Sequence, residues 1–321
     1  MTSRPSPRLL LCALLAALAS AFMVPAPAPA AEPMPLEMRN DLERVYGAWR
    51  RAVLAKDLRG WVQATSRYRQ FDMRNQIVSR RDSYPSGLFS FQNAEAANLP
   101  EILALKAVRA LKTETTAQII YFGRVNVGAA PGGQIPENLL ALRFFKEATG
   151  WKFDRLLTIG IGDEAREEIR GGNLQFLDEP EFDLIEQVPP VPKLVAAPEY
   201  VAQVIVVAPG YAVRVRINGA VHETVALGHP GSGPTQEIVQ GGLRLGKNDI
   251  EIKTRKLDSA AGRSSGVRVL VLADRAPNSE RIEMVKVFDF NPGEEVPAEH
   301  EGTIMANTRM LGKAELFRPG E

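Results

Sequence analysis

The spacing of the apolar residues changes once along the chain, and that change limits what it can fold into. Between Asp41 and Lys56, the residues Leu42, Val45, Tyr46, Trp49, Ala52 and Val53 recur at the i, i+3, i+4, i+7 interval of one helix face. Asp57 reads as the cap of a second helix, with Leu58, Trp61, Val62, Thr65 and Tyr68 on a common side, continuing to about Arg80. Tyr84-Pro85-Ser86-Gly87 breaks the pattern, and residues 88–116 fit a short helix followed by a strand. From Ala117 to Val127 the residues turn β-branched and aromatic, as a strand requires. After a glycine- and proline-rich loop, Leu140, Leu142 and Phe144 alternate, then Trp151, Phe153, Leu157 and Ile159, with Arg155 interrupting the second face. Gly150 between these two runs supplies the positive φ of a short hairpin. Helices followed by an antiparallel meander predict an α+β domain over 36–172, with the helices on a bent antiparallel sheet.

Beyond it the pattern is different again. Residues 173–198 are acidic and proline-rich and read as a linker. From Tyr200 the chain breaks into seven short strand-like runs, 200–208, 211–217, 220–227, 235–240, 249–254, 267–273 and 280–288. Asn218-Gly219 is a strong hairpin signal between two of them. This spacing predicts an all-β sandwich over 199–290, with 291–321 as an irregular tail.

Hydrophobic residues make up 45% of the 321, enough for cores that need no disulfide or metal. Residues 1–30 stand apart. Arg4 and Arg8 precede an apolar run from Leu9 to Leu18, and Ala19-Ser20-Ala21 and Ala28-Pro29-Ala30 are cleavage candidates. The run is shorter than the roughly 20 residues of a membrane span, so it reads as a secretory signal peptide. A secreted or periplasmic location follows, with no transmembrane segment after cleavage. Cys12, inside that run, is the only cysteine, so the mature chain would hold no disulfide, thiolate metal site or cysteine nucleophile.

Loss of Arg4 and Arg8 leaves 37 basic residues (39 less two) against 38 acidic, a balance that points to no nucleic-acid partner. The charge is unevenly spread. Glu37 to Asp82 holds eleven Lys/Arg against six Asp/Glu, and Asp163 to Glu199 holds three against ten. Arg67, Arg69, Arg74, Arg80 and Arg81 form a candidate patch for an anionic partner. A solvated helix face, or an internal contact between this basic face and the acidic linker, are the competing readings.

Candidate chemistry is sparse. Gly160-Ile161-Gly162-Asp163-Glu164-Ala165 matches G-x-G-x-x-A after a strand and before a helix. Asp163 and Glu164 would then stand where a pyrophosphate needs bare amides, the helix is two turns long, and no helical crossover precedes it. No cofactor is expected. His222, His229 and His300 lie in unrelated segments without metal-ligand spacing and read as surface or loop residues, so no metal site is expected. Asp72, Asp82 and Asp154, with Tyr46, Tyr68, Tyr84 and Tyr121, include the pairs a cavity isomerase could use, but ordinary packing and solvation are the favoured reading of so diffuse a signal. No catalytic residue is assigned.

The stretches "LERVYGAWRRAVLAKDLRGWVQAT", "AQIIYFGRVNV" and "NLLALRFFKEATGWKFDRLLTI" resemble the nuclear transport factor 2-like (cystatin-roll, SnoaL-like) superfamily, and "LRLGKNDIEI" resembles an immunoglobulin-like sandwich. The arrangement is similar to uncharacterised secreted bacterial proteins. The resemblance implies a cone with an open-ended cavity, for which Tyr46, Trp49, Trp61, Tyr68, Tyr121, Phe144, Trp151 and Phe153 are the candidate lining. Enzymes of the superfamily usually place Asp or His in that cavity, and the N-terminal half has no histidine. The expected function is therefore an extracytoplasmic, non-enzymatic binding or scaffolding protein with a protein or glycan partner. A small isomerase or hydratase, and carbohydrate binding by the sandwich, are the alternatives. Loops Gly228–Pro234 and Ser259–Gly266 are candidate contact sites.

Overall fold

The computed structural model describes residues 31–90, 101–126, 134–178, 182–222, 234–256, 266–274, 283–291, 294–306 and 315–317. The predicted signal peptide, His229 and most of the two candidate contact loops lie outside these residues. From Ala31 onward the chain forms one compact unit with an α+β architecture and three antiparallel sheets.

Helix α1 (Leu36–Leu54) starts before the periodic pattern does, because Pro35 stands at its N-cap with an extended backbone. A fixed φ makes proline a compatible entry to a first turn. Ala55 and Lys56, the latter at φ 55°, turn the chain, and the Asp57 carboxylate caps helix α2 (Leu58–Ala64) by accepting from the Gly60 amide at 3.1 Å. The predicted second helix is in fact two. Thr65 is extended and bridges to Phe153, and the Ser66 amide donates to the Phe153 carbonyl at 2.7 Å. Helix α3 (Arg67–Ser79) then restarts with the Ser66 hydroxyl accepting from the Arg69 amide at 3.0 Å. Capture by a strand edge thus overrides a helical spacing that continues through the break.

The first sheet runs in the order β1 (Glu32–Pro33), β2 (Lys106–Lys112), β3 (Thr116–Arg124), β4 (Glu137–Glu147), β5 (Gly150–Ile159), every pair antiparallel. Gly150 has φ 104°, as the hairpin demands. The register slips between Ala107 and Arg109, and again between Arg143 and Phe144, where Asp154 is the extra residue on β5. Bulges of this kind bend a sheet and increase its twist. Helices α1, α2 and α3 pack on one face, where Leu42, Tyr46, Trp49, Trp61, Met73 and Phe153 are buried and Trp151 joins from the margin. The opposite face is covered too. Ile120, Phe122, Leu139 and Ile159 pack there against Ile169 of helix α4 (Asp163–Gly171) and against Leu177 and Phe182. Side chains alternate faces along a strand, so a sheet covered on both sides explains why β3 and β4 read as continuous apolar runs.

The second half is a two-sheet sandwich. One sheet has the order β14 (Glu315–Phe317), β13 (Glu299–Ala306), β10 (Gly246–Lys256), β7 (Tyr211–Ile217), β8 (Ala220–His222). The other has the order β12 (Glu283–Phe290), β11 (Val267–Asp274), β6 (Val201–Val207), β9 (Thr235–Ile238). Their inner faces share one core, built on Val204, Val213, Val215, Ile252, Val269 and Phe288. Asn218 and Gly219 both take positive φ, 51° and 80°, matching the twist of the β7–β8 hairpin.

The segment expected to be an irregular tail carries two strands among its described residues. Strand β13 pairs with β10 from Gly246↔Ala306 to Lys253↔Glu299, and β14 pairs with β13. Its inward positions are His300, Gly302, Ile304 and Ala306, of which only Ile304 is large and apolar, so the alternating signal is weak. His300 is accordingly no surface residue: it is buried, with its ring 4.4 Å from that of Phe288.

Candidate functional site

The predicted cavity residues divide into three groups. Tyr46, Trp49, Phe144 and Phe153 fill space against one another, with ring centroids 4.4 Å apart for Trp49–Phe153 and 5.8 Å for Phe144–Phe153. Trp61 and Tyr121 are buried in the same core. The Tyr121 hydroxyl donates to the Glu43 carboxylate at 2.7 Å, and Arg39 stands 3.4 Å from that carboxylate. Burial, then this bond, push the Tyr121 phenol far above the usual tyrosine range. Tyr68 packs edge-on to Phe145 at 6.1 Å instead; burial first, then the Asp72 charge, raise its pKa. Trp151 alone of the eight lines a surface groove.

Four of the five predicted patch arginines are drawn into contacts within the fold. Arg69 donates to Asp72 at 2.7 Å. Arg74 reaches the Val195 carbonyl at 3.4 Å, and Arg81 donates to the carbonyls of Pro198, at 3.1 Å, and Glu199. Arg80 is half-buried, and that burial lowers its pKa. Arg67 is exposed, its guanidinium 5.7 Å from the Phe71 ring. The basic helix face does meet the acidic linker, through the backbone carbonyls of Val195, Pro198 and Glu199.

These contacts belong to a polar joint between the two halves. Asp72, 3% exposed, accepts from Arg69, from Gln76 at 3.1 Å and from Gln240 of the sandwich at 2.6 Å, with Arg155 3.5 Å away. Burial alone would raise its pKa; the two arginines and the hydrogen bonds outweigh that and lower it. Burial would likewise depress Arg155, but Asp72 and then Asp154 hold it above its ordinary value. The Asn75 side chain donates to the Lys193 carbonyl at 2.8 Å and accepts from the Val195 amide at 3.1 Å, and the Ser79 hydroxyl accepts from the Gly241 amide at 2.8 Å. Beside it Asp154, fully buried, is held by Arg143 at 2.7 Å and by the Ser66 hydroxyl at 2.8 Å. Both carboxylates are engaged by donors from more than one element, so the joint orients the halves.

The groove lies at the elbow of α1 and α2. Val45, Ala48 and Ala52 of α1, with Ala55 just past its end, form one wall, Gly60 and Ala64 of α2 another, and Trp151 of β5 closes the side. Its volume is about 450 Å³. A Cβ at Gly60 would press on the Asp57 carboxylate and lie 3.2 Å from Ala52 Cβ, so glycine there lets the two helices approach. Arg51 and Lys152 stand on the rim with Asp57 and Gln63. Lys152 donates to the Gln63 carbonyl at 2.6 Å, and Lys146 lies 6.0 Å from the Trp151 ring centroid. Arg51 is exposed and makes no ion pair among the described residues. Sequence reasoning missed this site, because alanines at helical spacing look like core filler; Ala48-x-x-x-Ala52-x-x-Ala55 beside Gly60 was the available signal.

The Gly160–Gly162 turn follows β5, which pairs antiparallel with β4, and leads into a nine-residue helix whose first turn carries Asp163 and Glu164. Among the described residues no three His, Cys, Asp or Glu side chains gather to hold a metal ion, and no helix is long and apolar enough to cross a membrane. No family model, curated protein or solved structure matches the chain.

Proposed function

We propose that this chain is an extracytoplasmic binding or scaffolding protein, and that the α1–α2 groove is where its N-terminal half meets its partner. The groove carries this reading: an apolar trough with an indole wall and a basic rim, in the size range of small-ligand sites, roughly 300–1,000 Å³. A non-catalytic role is supported by the carboxylates. Asp72 and Asp154 are each locked by arginine and line no part of the groove. The signal-like leader of residues 1–30 supports export. The polar joint suits a scaffold, since it fixes the angle between the two halves.

The test is native mass spectrometry of the protein purified from the organism that makes it, alongside an Ala55→Leu variant. Ala55 is exposed, so the added bulk fills the groove without entering the core. A bound species on the native protein that is missing from the variant is the expected result. An equal load on both proteins, or a bare protein in each case, rejects the groove as the binding surface.

A further inference from the structure

Resting on that reading, we infer that the groove takes an amphiphilic monoanion, an unbranched acyl chain ending in a carboxylate. Three observations converge on this class. Ala48, Ala52, Ala55 and Gly60 line the trough with nothing longer than a methyl group, so its floor is smooth and can accept a chain lying lengthwise. A single indole gives a sugar only one stacking plane, which disfavours one. The charge at the rim is lopsided. Asp57, the acid of the lining, is turned to the Gly60 amide as a helix cap, leaving Arg51 to face an incoming group, with Lys152 held at the Gln63 carbonyl and Lys146 beside Trp151.

Arg51 is the specificity element. Its planar fork can hold a carboxylate through two parallel hydrogen bonds, which an ammonium-headed amphiphile cannot use. Each methylene laid along the alanine floor adds apolar burial, so affinity should climb with chain length up to the end of the trough.

Isothermal titration calorimetry with sodium decanoate, butyrate and decyltrimethylammonium, all below their aggregation limits, tests the assignment. Decanoate should bind at one site, at least about tenfold more tightly than either of the others. Arg51→Glu should weaken decanoate by about tenfold or more, Arg51→Lys less, and Ala55→Leu should remove binding, each with an unchanged thermal midpoint. Equal binding of decanoate and decyltrimethylammonium overturns the proposal, as does an unaltered affinity in Arg51→Glu. Where no probe binds but Ala55→Leu still strips a species carried from the native organism, the ligand class is wrong and the groove stands. Where that species is also unaffected, the groove reading falls with it.

Discussion

Replacing Asp72 by asparagine probes the joint on which the relation between the two halves depends. The change keeps the shape but removes the charge shared by Arg69 at 2.7 Å and Arg155 at 3.5 Å, where Asp72 is only 3% exposed. Leaving a buried partner uncompensated costs about 3–5 kcal/mol. Two features reduce this. The Arg155 and Arg69 side chains are 27% and 14% exposed and can turn toward water, and an asparagine oxygen can still accept from Gln240. The expected loss is therefore about 2–4 kcal/mol at neutral pH, a large part of a typical total of about 5–15 kcal/mol. Urea unfolding reads it with two signals. All three tryptophans, Trp49, Trp61 and Trp151, lie in the N-terminal half, so fluorescence follows that half while far-UV circular dichroism weights the strands of both. The native protein should unfold in one transition by both probes, and Asp72→Asn should separate them, with the fluorescence midpoint falling further. The pH dependence has a definite sign. Because the folded-state pKa of Asp72 lies below its ordinary value, its stabilisation is full above about pH 4 and fades as the pH falls through the lowered value. The difference between native protein and variant should accordingly close in acid. A loss under about 0.5 kcal/mol at pH 7, or a difference that persists unchanged at pH 3, refutes the joint as a load shared between buried charges.

Three further perturbations separate backbone, hydroxyl and cap contributions. Gly242 sits at φ 58°, and a Cβ there would overlap the Tyr200 carbonyl oxygen and the Pro198 ring, so Gly242→Ala should cost about 3 kcal/mol or more in chemical denaturation. Gly162→Ala, where a Cβ meets open space, should change stability by less than about 0.5 kcal/mol and serves as its control. Tyr121→Phe should cost about 1–2 kcal/mol, the worth of the bond to Glu43. Since the folded pKa of Tyr121 is raised, the stability tied to its protonated form is full below about pH 10 and is lost above it, so the variant should lose less stability in alkali, as thermal melts across pH 9–11 would show. Ser66→Ala removes both the α3 cap and a donor to buried Asp154, and a fall of about 1–2 kcal/mol in urea is expected.

The helix–sheet core and the joint were legible in the sequence to different degrees, and the groove was not. Tyr46, Trp49 and Phe153 announced a helix–sheet core by their spacing, and they form one. Reading the same rings as a cavity lining rested on resemblance; in the structure they fill the space themselves. Glu43 carried no warning, because it flanks the apolar stripe of α1 and meets Tyr121 only when the helix crosses β3. The arginines from Arg67 to Arg81 were visible as a charge cluster, but the carbonyl partners of Arg74 and Arg81 lie more than a hundred residues away. Strand β13 went unrecognised because Ile304 is its one large apolar inward residue, and the segment becomes a strand only when β10 offers its edge.

What the sequence determined alone is what depends on near neighbours: period, caps and turns. The α1 stripe, the Asp57 cap, the Gly150 turn and the Asn218-Gly219 hairpin are set by local sterics and by hydrogen bonds spanning a few residues. Only the tertiary structure decided which apolar surfaces are filled and which stay open, and whether a charge faces water or a distant partner. The helix break at Thr65 and the sheet covered on both faces belong to that class, as do the inward turn of the arginines and the open trough beside Trp151. Each depends on the meeting of segments far apart in the chain, where the free energy of burial and pairing exceeds any local preference.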